Sequence, residues 1–221
     1  SDSSQNILTV EDPIEYTLKG IGQTQVNPKT GYTFAKGLRA ILRQDPDVVM
    51  VGEMRDIETA QIGIQSSLTG HLVLSTVHTN SAVAAIARLR DMGIESYLLA
   101  SSLKTIIAQR LVRRLCENCK LPDTPDRETL LKLDLESSSN CFKASGCDEC
   151  LDSGYKGRIA IAECITVDRS IKEMIHNNTS ESETADYAFK DNESIDQASK
   201  NLITNGITSC DEILRVNNMK E

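Results

Sequence analysis

The sequence predicts an α/β fold in which helices flank a parallel sheet, and three short apolar runs carry that prediction. ILTV at residues 7–10, VVMV at 48–51 and LVLST at 72–76 are four or five residues long and rich in β-branched and leucine-type side chains. Runs of that length without polar alternation read as strands covered on both faces, the environment of a parallel sheet. Helical stretches lie between them, which gives the αβαβα order that right-handed crossovers require. Each run is followed by residues suited to phosphate or water chemistry: Glu11 and Asp12, then Gly52 and Glu53, then Val77 and His78. Ligands of such sheets gather beyond the carboxyl ends of the strands, so two acids and a histidine are expected to converge there.

The remaining elements follow in order. Residues 19–32 are polar and glycine-containing and read as a strand pair or an ordered loop. Thr33 is placed to cap a helix carrying Leu38, Ile41 and Leu42 on one face, which must stop near Gln44 because Pro46 cannot continue it. Asp56 caps a helix running toward Leu68, and Gly70 turns the chain into the third strand. A helix is predicted over 81–93. A longer one is predicted over 96–115, where Leu99, Leu103, Ile106, Ile107 and Leu111 recur at helical spacing and Arg110, Arg113 and Arg114 form a solvated face. Beyond it, a strand is predicted over 158–167 and a helix over 171–176. Residues 177–192 show high polarity and weak periodicity. A last helix is opened by a capping box of Ser209 and Glu212 ahead of Ile213, Leu214 and Val216.

With 221 residues the chain can bury one large domain, or a domain and an appendage. It holds no apolar stretch of about 18 to 20 residues, and residues 1–6 lack the basic and apolar regions of a signal peptide, so a cytoplasmic setting is the default. The net charge of −8 is uneven: 12 basic and 11 acidic residues up to Leu115, then 12 basic and 21 acidic. An acidic second part argues against a nucleic-acid surface, and the absence of Trp argues against base-stacking platforms. No Gly-Lys pair occurs, so the phosphate-cradling loop that ends in Gly-Lys-Ser/Thr is absent from this sequence.

The composition changes at Cys116, which suggests a division into 1–115, 116–157 and 158–221. Cys116 and Cys119 form one Cys-x-x-Cys pair, Cys147 and Cys150 a second, with 27 residues between. Zinc takes four soft ligands in a tetrahedron, and each such turn delivers two thiolates without strain, so a closed structural Zn2+ site is expected. Disulfides are disfavoured in a cytoplasmic chain. Cys141, between the pairs, reads as a partly exposed free thiol ahead of a substitute ligand, and Cys164 and Cys210 read as buried small apolar residues.

Among the acids, Glu53 directly follows four apolar residues and a glycine, where nucleotide hydrolases keep the acid that orients water or Mg2+. Acids at strand ends often merely cap the next helix or pair with an arginine, and for Glu11, Asp12 and Glu15 that role and a functional one weigh evenly. Asp45 and Asp47 precede the strand and belong to its far end, with Arg43. His78 is placed for phosphate contact, whereas His71 starts its strand and taken alone reads as structural. Arg39, Arg43 and Arg55 flank the second strand and are candidates for phosphate or interface contacts.

These residues resemble a family. VEDPIEY at 10–16 resembles the aspartate box of secretion ATPases, LRQDPDVVMVGEMRDIETA at 42–60 their atypical Walker B segment, and TGHLVLSTVHTNSA at 69–82 their histidine box. The paired Cys-x-x-Cys is similar to that of the subfamily that energises type II secretion and type IV pilus assembly. GIGQTQVNPKTGYTFAKGLRAILRQDP and LRDMGIESYLLASSL resemble the type II secretion members more than the pilus enzymes. The resemblance covers residues 7–216 and is weakest over 177–192.

The resemblance implies a RecA-like ATPase domain that works as a homo-hexamer with inner-membrane components at the cytoplasmic face, using ATP and Mg2+ for pseudopilus assembly and protein export. It casts Glu53 as the catalytic acid, Glu11 and Glu15 as its assistants at Mg2+ and water, and His71 and His78 as γ-phosphate sensors; Arg39 and Arg55 remain nucleotide-contact candidates from their position beside the second strand. Gly52 stands where the usual pattern has Asp. In that family the phosphate loop lies upstream of the aspartate box, so this sequence is expected to be a C-terminal portion that by itself neither binds ATP tightly nor hydrolyses it. The nearest competing expectation is a type IV pilus assembly ATPase, and a second class is a non-enzymatic zinc module that binds a protein partner or nucleic acid.

Overall fold

The structure is a computed structural model that describes residues 5–218. Its contacts separate two compact units. The first holds the chain up to Thr79 with Val83–Thr105 and Thr166–Ala185; the second holds Asn80–Ala82, Ile106–Ile165 and the chain from Asp186 onward.

The first unit is built on a sheet of four parallel strands, β1 (Ile7–Glu11), β2 (Gly22–Gln25), β3 (Val48–Val51) and β4 (Leu72–Ser75), in the order β2-β1-β3-β4. The three apolar runs are β1, β3 and β4, as predicted. Residues 19–32 give one strand, not a pair: beyond β2 the Asn27 and Tyr32 backbones exchange two 3.0 Å hydrogen bonds around a tight turn, leaving room for a single bridge. Helix α1 (Phe34–Ile41) is capped by Thr33, whose hydroxyl accepts the Lys36 N–H. It buries Phe34, Leu38 and Ile41 with Val10, Val49 and Val51. Gly37 allows the close approach, since a Cβ there would stand 2.8 Å from a Val10 methyl. Asp56 caps α2 (Ile57–Leu68) through the Thr59 N–H at 2.8 Å. Helix α3 (Ala82–Asp91) and α4 (Ser96–Ser102) follow, and α4 packs on α6 (Arg169–His176). Strand β4 lies at an edge of the sheet and leaves Leu72 and Leu74 half exposed.

The second unit centres on the paired long strands β5 (Thr105–Leu115) and β8 (Tyr155–Thr166). A small antiparallel pair, β6 (Leu121–Asp123) and β7 (Cys141–Lys143), flanks α5 (Arg127–Lys132) in sequence. Helices α8 (Ile195–Thr204) and α9 (Cys210–Asn218) close the core, which holds Val112, Leu133, Cys141, Ile161, Ile203, Cys210 and Ile213. Helix α7 (Glu181–Ala188) occupies the stretch of weak periodicity. No helix among the described residues is long and apolar enough to cross a membrane.

Five expectations are corrected. The helix predicted over 96–115 ends at Ser102, and β5 begins at Thr105. Over residues 105–112 exposure alternates with period two: Ile107 and Leu111 face out and Val112 is buried, so the helical spacing of the leucines and isoleucines was coincidental. Three consecutive β-branched residues, Thr105, Ile106 and Ile107, favour the extended chain. Arg110, Arg113 and Arg114 are therefore strand residues. Cys164 is exposed, because alternation along β8 gives the buried face to Ile161, Glu163 and Ile165. Cys141 is buried, its Sγ 4.0 Å from that of Cys210. The capping box of α9 is half formed: Ser209 Oγ accepts the Glu212 N–H at 3.1 Å, but the Glu212 carboxylate turns to Arg113 and Arg215. The two units also cut the chain elsewhere than after residues 115 and 157, since β5 pairs with β8 and α6 packs on α4.

Candidate functional site

The carboxyl ends of β1, β3 and β4 form one rim of the first unit. The register sets Val10 beside Val51, so Glu11, the last residue of β1, and Gly52, the first after β3, stand side by side. Gly52 donates to Val10 O at 2.8 Å and accepts from Thr76 Oγ1 at 2.6 Å. A Cβ on Gly52 would stand 3.3 Å from Val10 O and 3.4 Å from Glu11 Cα, so glycine lets the two strand ends converge. One residue on, Met54 N donates to Thr76 O at 3.0 Å. The ladder thus continues past β3 and β4 and draws the loop bearing His78 across Glu53.

Glu53 is 9% exposed and lies between the His78 ring and the Arg55 guanidinium. His78 Nε2 is 2.7 Å from its Oε1, and Arg55 Nε donates to its Oε2. Both side chains reach into solvent, with exposures of 87% for His78 and 60% for Arg55. A carboxylate so placed is desolvated on its protein side and held by partners that can leave. Glu11, half-buried, accepts from Thr9 Oγ1 at 2.5 Å and from Gln23 Nε2 at 2.9 Å.

The four cysteines of the paired motifs meet in the second unit, all Sγ atoms within 4.8 Å of one another. A tetrahedron of thiolates at about 2.3 Å from zinc has sulfurs about 3.8 Å apart. The separations Cys116 to Cys147, Cys119 to Cys150 and Cys147 to Cys150 are 3.9, 3.8 and 3.7 Å. Backbone N–H groups already point at the sulfurs: Gly146 at Cys119, and Cys147 and Gly154 at Cys150, at 3.2 to 3.3 Å. Burial works to raise the Cys150 thiol, but those donors and the neighbouring cysteines prevail and hold it at about 7. The donor set suits a metal that prefers soft anionic ligands.

The sequence profile of type II/IV secretion system proteins matches residues 1–215. The chain belongs to that family. It is 55% identical to the type II secretion system protein E of Pseudomonas aeruginosa and 52% identical to the type II secretion system ATPase E of Vibrio cholerae, each over 98% of this chain and 43% of the relative. It therefore spans less than half the length of these curated relatives. Among solved structures, the pilus retraction motor PilT with bound ADP superposes with a TM-score of 0.70 at 27% identity, over 96% of this chain and 52% of that one.

Within this secretion-family chain, Glu53, His78 and Arg55 are brought together, and Glu11 stands at the neighbouring strand end. Glu15 is exposed in the loop after β1. Arg39 pairs with Glu58 at 2.7 Å, both more than half exposed, a geometry that adds little stability. His71 lies at the opposite end of β4, about 13 Å of strand away, where its Nδ1 meets Ser66 O at 3.1 Å beneath the end of α2. Thr76, Thr9 and Gln23 hold residues of the rim but had no signal in the sequence, because the strand pairing that brings Gln23 to Glu11 and Thr76 to Gly52 leaves no local mark.

Proposed function

We propose that this chain carries the water-activating part of an ATP-hydrolysing site in a type II secretion ATPase, in which turnover drives pseudopilus assembly and protein export. Glu53 carries the reading: a nearly buried carboxylate at a strand end, held by His78 and Arg55 on exposed arms. A bound phosphate chain draws the Arg55 guanidinium and a ring N–H of His78 toward its oxygens, and their departure leaves Glu53 free to accept a proton from water. Glu11, already fixed by Thr9 and Gln23, is positioned to orient a hydrated Mg2+. Glu15 and Arg39 lie further out and serve as outer contacts of the nucleotide. His71, at the other end of the sheet, is assigned to holding the turn after α2.

The four cysteines hold a structural Zn2+, which supplies stability and no chemistry, because four thiolates leave it no open position. Homo-hexamer assembly and docking on inner-membrane components belong to the same reading, supported by family membership. A pilus motor is the second reading, favoured by the likeness to PilT; identity above 50% to the type II secretion relatives favours the first.

Calorimetry with Mg-ATP tests the reading. The full-length protein is expected to bind in the micromolar range and this chain alone to show no such affinity, since it has no Gly-Lys loop to cradle phosphates. Micromolar binding to this chain alone, or none to the full-length protein, would overturn it.

A further inference from the structure

Within the first unit, one face of the sheet is polar at its outer strands. Val10 packs in the core with α1, so Thr9 and Glu11, its neighbours on either side, point to the opposite face. The register sets Gln23 of β2 opposite Thr9 and Gln25 opposite Glu11, which brings all four to that face. Thr9 is 3% exposed, and its hydroxyl donates to Glu11 Oε1 at 2.5 Å. Gln23 Nε2 donates to the same oxygen at 2.9 Å. Both bonds fall on Oε1, so one oxygen of the carboxylate is fixed and Oε2 stays open to a hydrated cation.

The loop after β1 returns to this face and is held by the same side chain. Gln23 Nε2 also donates to Tyr16 O at 3.0 Å, and Gln23 Oε1 accepts the Leu18 N–H at 2.7 Å. With two acceptors on its nitrogen side and a donor on its oxygen side, the amide has one orientation that satisfies all three. Tyr16 and Leu18 are 79% and 52% exposed, so packing of their side chains holds this part of the loop weakly and the amide bonds matter more. Gln25 touches the loop separately, where its Oε1 accepts the Ile14 N–H at 3.2 Å. We propose that Gln23 is a positioning residue that couples the loop at 12–18 to Glu11. While the loop is seated, the amide is fixed and keeps Glu11 Oε1 engaged with Oε2 open; when the loop lifts, the amide is released and the carboxylate is free to turn. Whatever moves the loop thereby changes the hold of Glu11 on Mg2+ without touching the carboxylate. The inference rests on the assignment of Glu11 to hydrated Mg2+ above, and its test separates the two.

Gln23→Met keeps the length of the side chain and removes its amide. In this chain without nucleotide, hydrogen exchange at the Leu18 amide, followed by NMR, is expected to speed up about tenfold in Gln23→Met and to stay within about twofold in Gln25→Met. In the full-length protein, Gln23→Met is expected to raise the free Mg2+ needed for half-maximal turnover about fivefold, and Gln25→Met to leave it within about twofold. Combined with Glu11→Gln, Gln23→Met is expected to add no further shift, because the residue through which it acts is already altered. Leu18 exchange at the unaltered rate, an unshifted Mg2+ midpoint, or an equal shift in the Glu11→Gln background would overturn the proposal. Where Gln23→Met loses its cooperative thermal transition, Gln23→Asn, which keeps the amide one methylene short, is put through the same measurements with the same outcomes. A Glu11→Gln enzyme with an unaltered Mg2+ midpoint strikes the assignment of Glu11 instead, and the Leu18 exchange rate then decides by itself whether Gln23 holds the loop.

Discussion

A buried carboxylate keeps its charge when donors replace the water it has lost. Glu212 is fully buried, and burial works to raise its pKa, yet Arg215 and Arg113 hold it down at about 2. Arg113 contributes its backbone N–H, Nε and a terminal nitrogen, and stacks 4.0 Å above the Tyr155 ring. Because the folded value lies below the ordinary 4.5, the stabilisation is complete above about pH 4.5 and is lost as pH falls toward 2. Urea midpoints of this chain are expected to fall over that window, and Glu212→Gln to flatten the fall. Glu212→Ala should cost about 3 kcal/mol, near the lower end for a broken buried pair because both arginines reach solvent. At this scale the sequence was legible where chemistry is local. Glu53 follows an apolar run and a glycine, a local pattern that marks a strand end; the partner of Arg113 lies 99 residues on, where no spacing points to it. Glu163 was not singled out because an acid within a strand reads as an exposed one.

At the scale of elements, strands flanked by caps and glycines were legible, and β5 was not, because Leu99, Leu103, Ile106, Ile107 and Leu111 satisfy a helical period by chance. Two substitutions separate the descriptions. On the strand, Val112→Ala opens a gap in the second core and is expected to cost about 2 kcal/mol, whereas Leu111→Thr, on the exposed face, should change stability by less than about 0.5 kcal/mol. A helix with Leu111 buried would reverse that order. The cysteine cluster was legible because its spacing states its chemistry. The purified chain is expected to carry about one zinc, and its removal to unfold the segment between Cys116 and Cys150, since structural zinc contributes on the order of 10 kcal/mol to such units. Metal analysis beside thiol titration decides this: no metal with four freely titrating thiols would remove the zinc assignment.

For the whole molecule, the parallel sheet was legible because buried parallel strands announce themselves as unbroken apolar runs. The division into units was not, since long-range pairing of β5 with β8 and the return of α6 to the first unit leave no local mark. The sheet assembles Glu11, Glu53 and His78 from three strand ends, a convergence that needs the fold and not merely the motifs. The claim that this rim activates water for ATP hydrolysis is tested most directly by Glu53→Gln in the full-length protein, with turnover and nucleotide affinity measured on the same sample. The substitution keeps shape and removes charge, so kcat is expected to drop about a hundredfold or more while the Kd for ATP stays within about threefold. Turnover near that of the unaltered enzyme would contradict the account and move the role to Glu11 or Glu15.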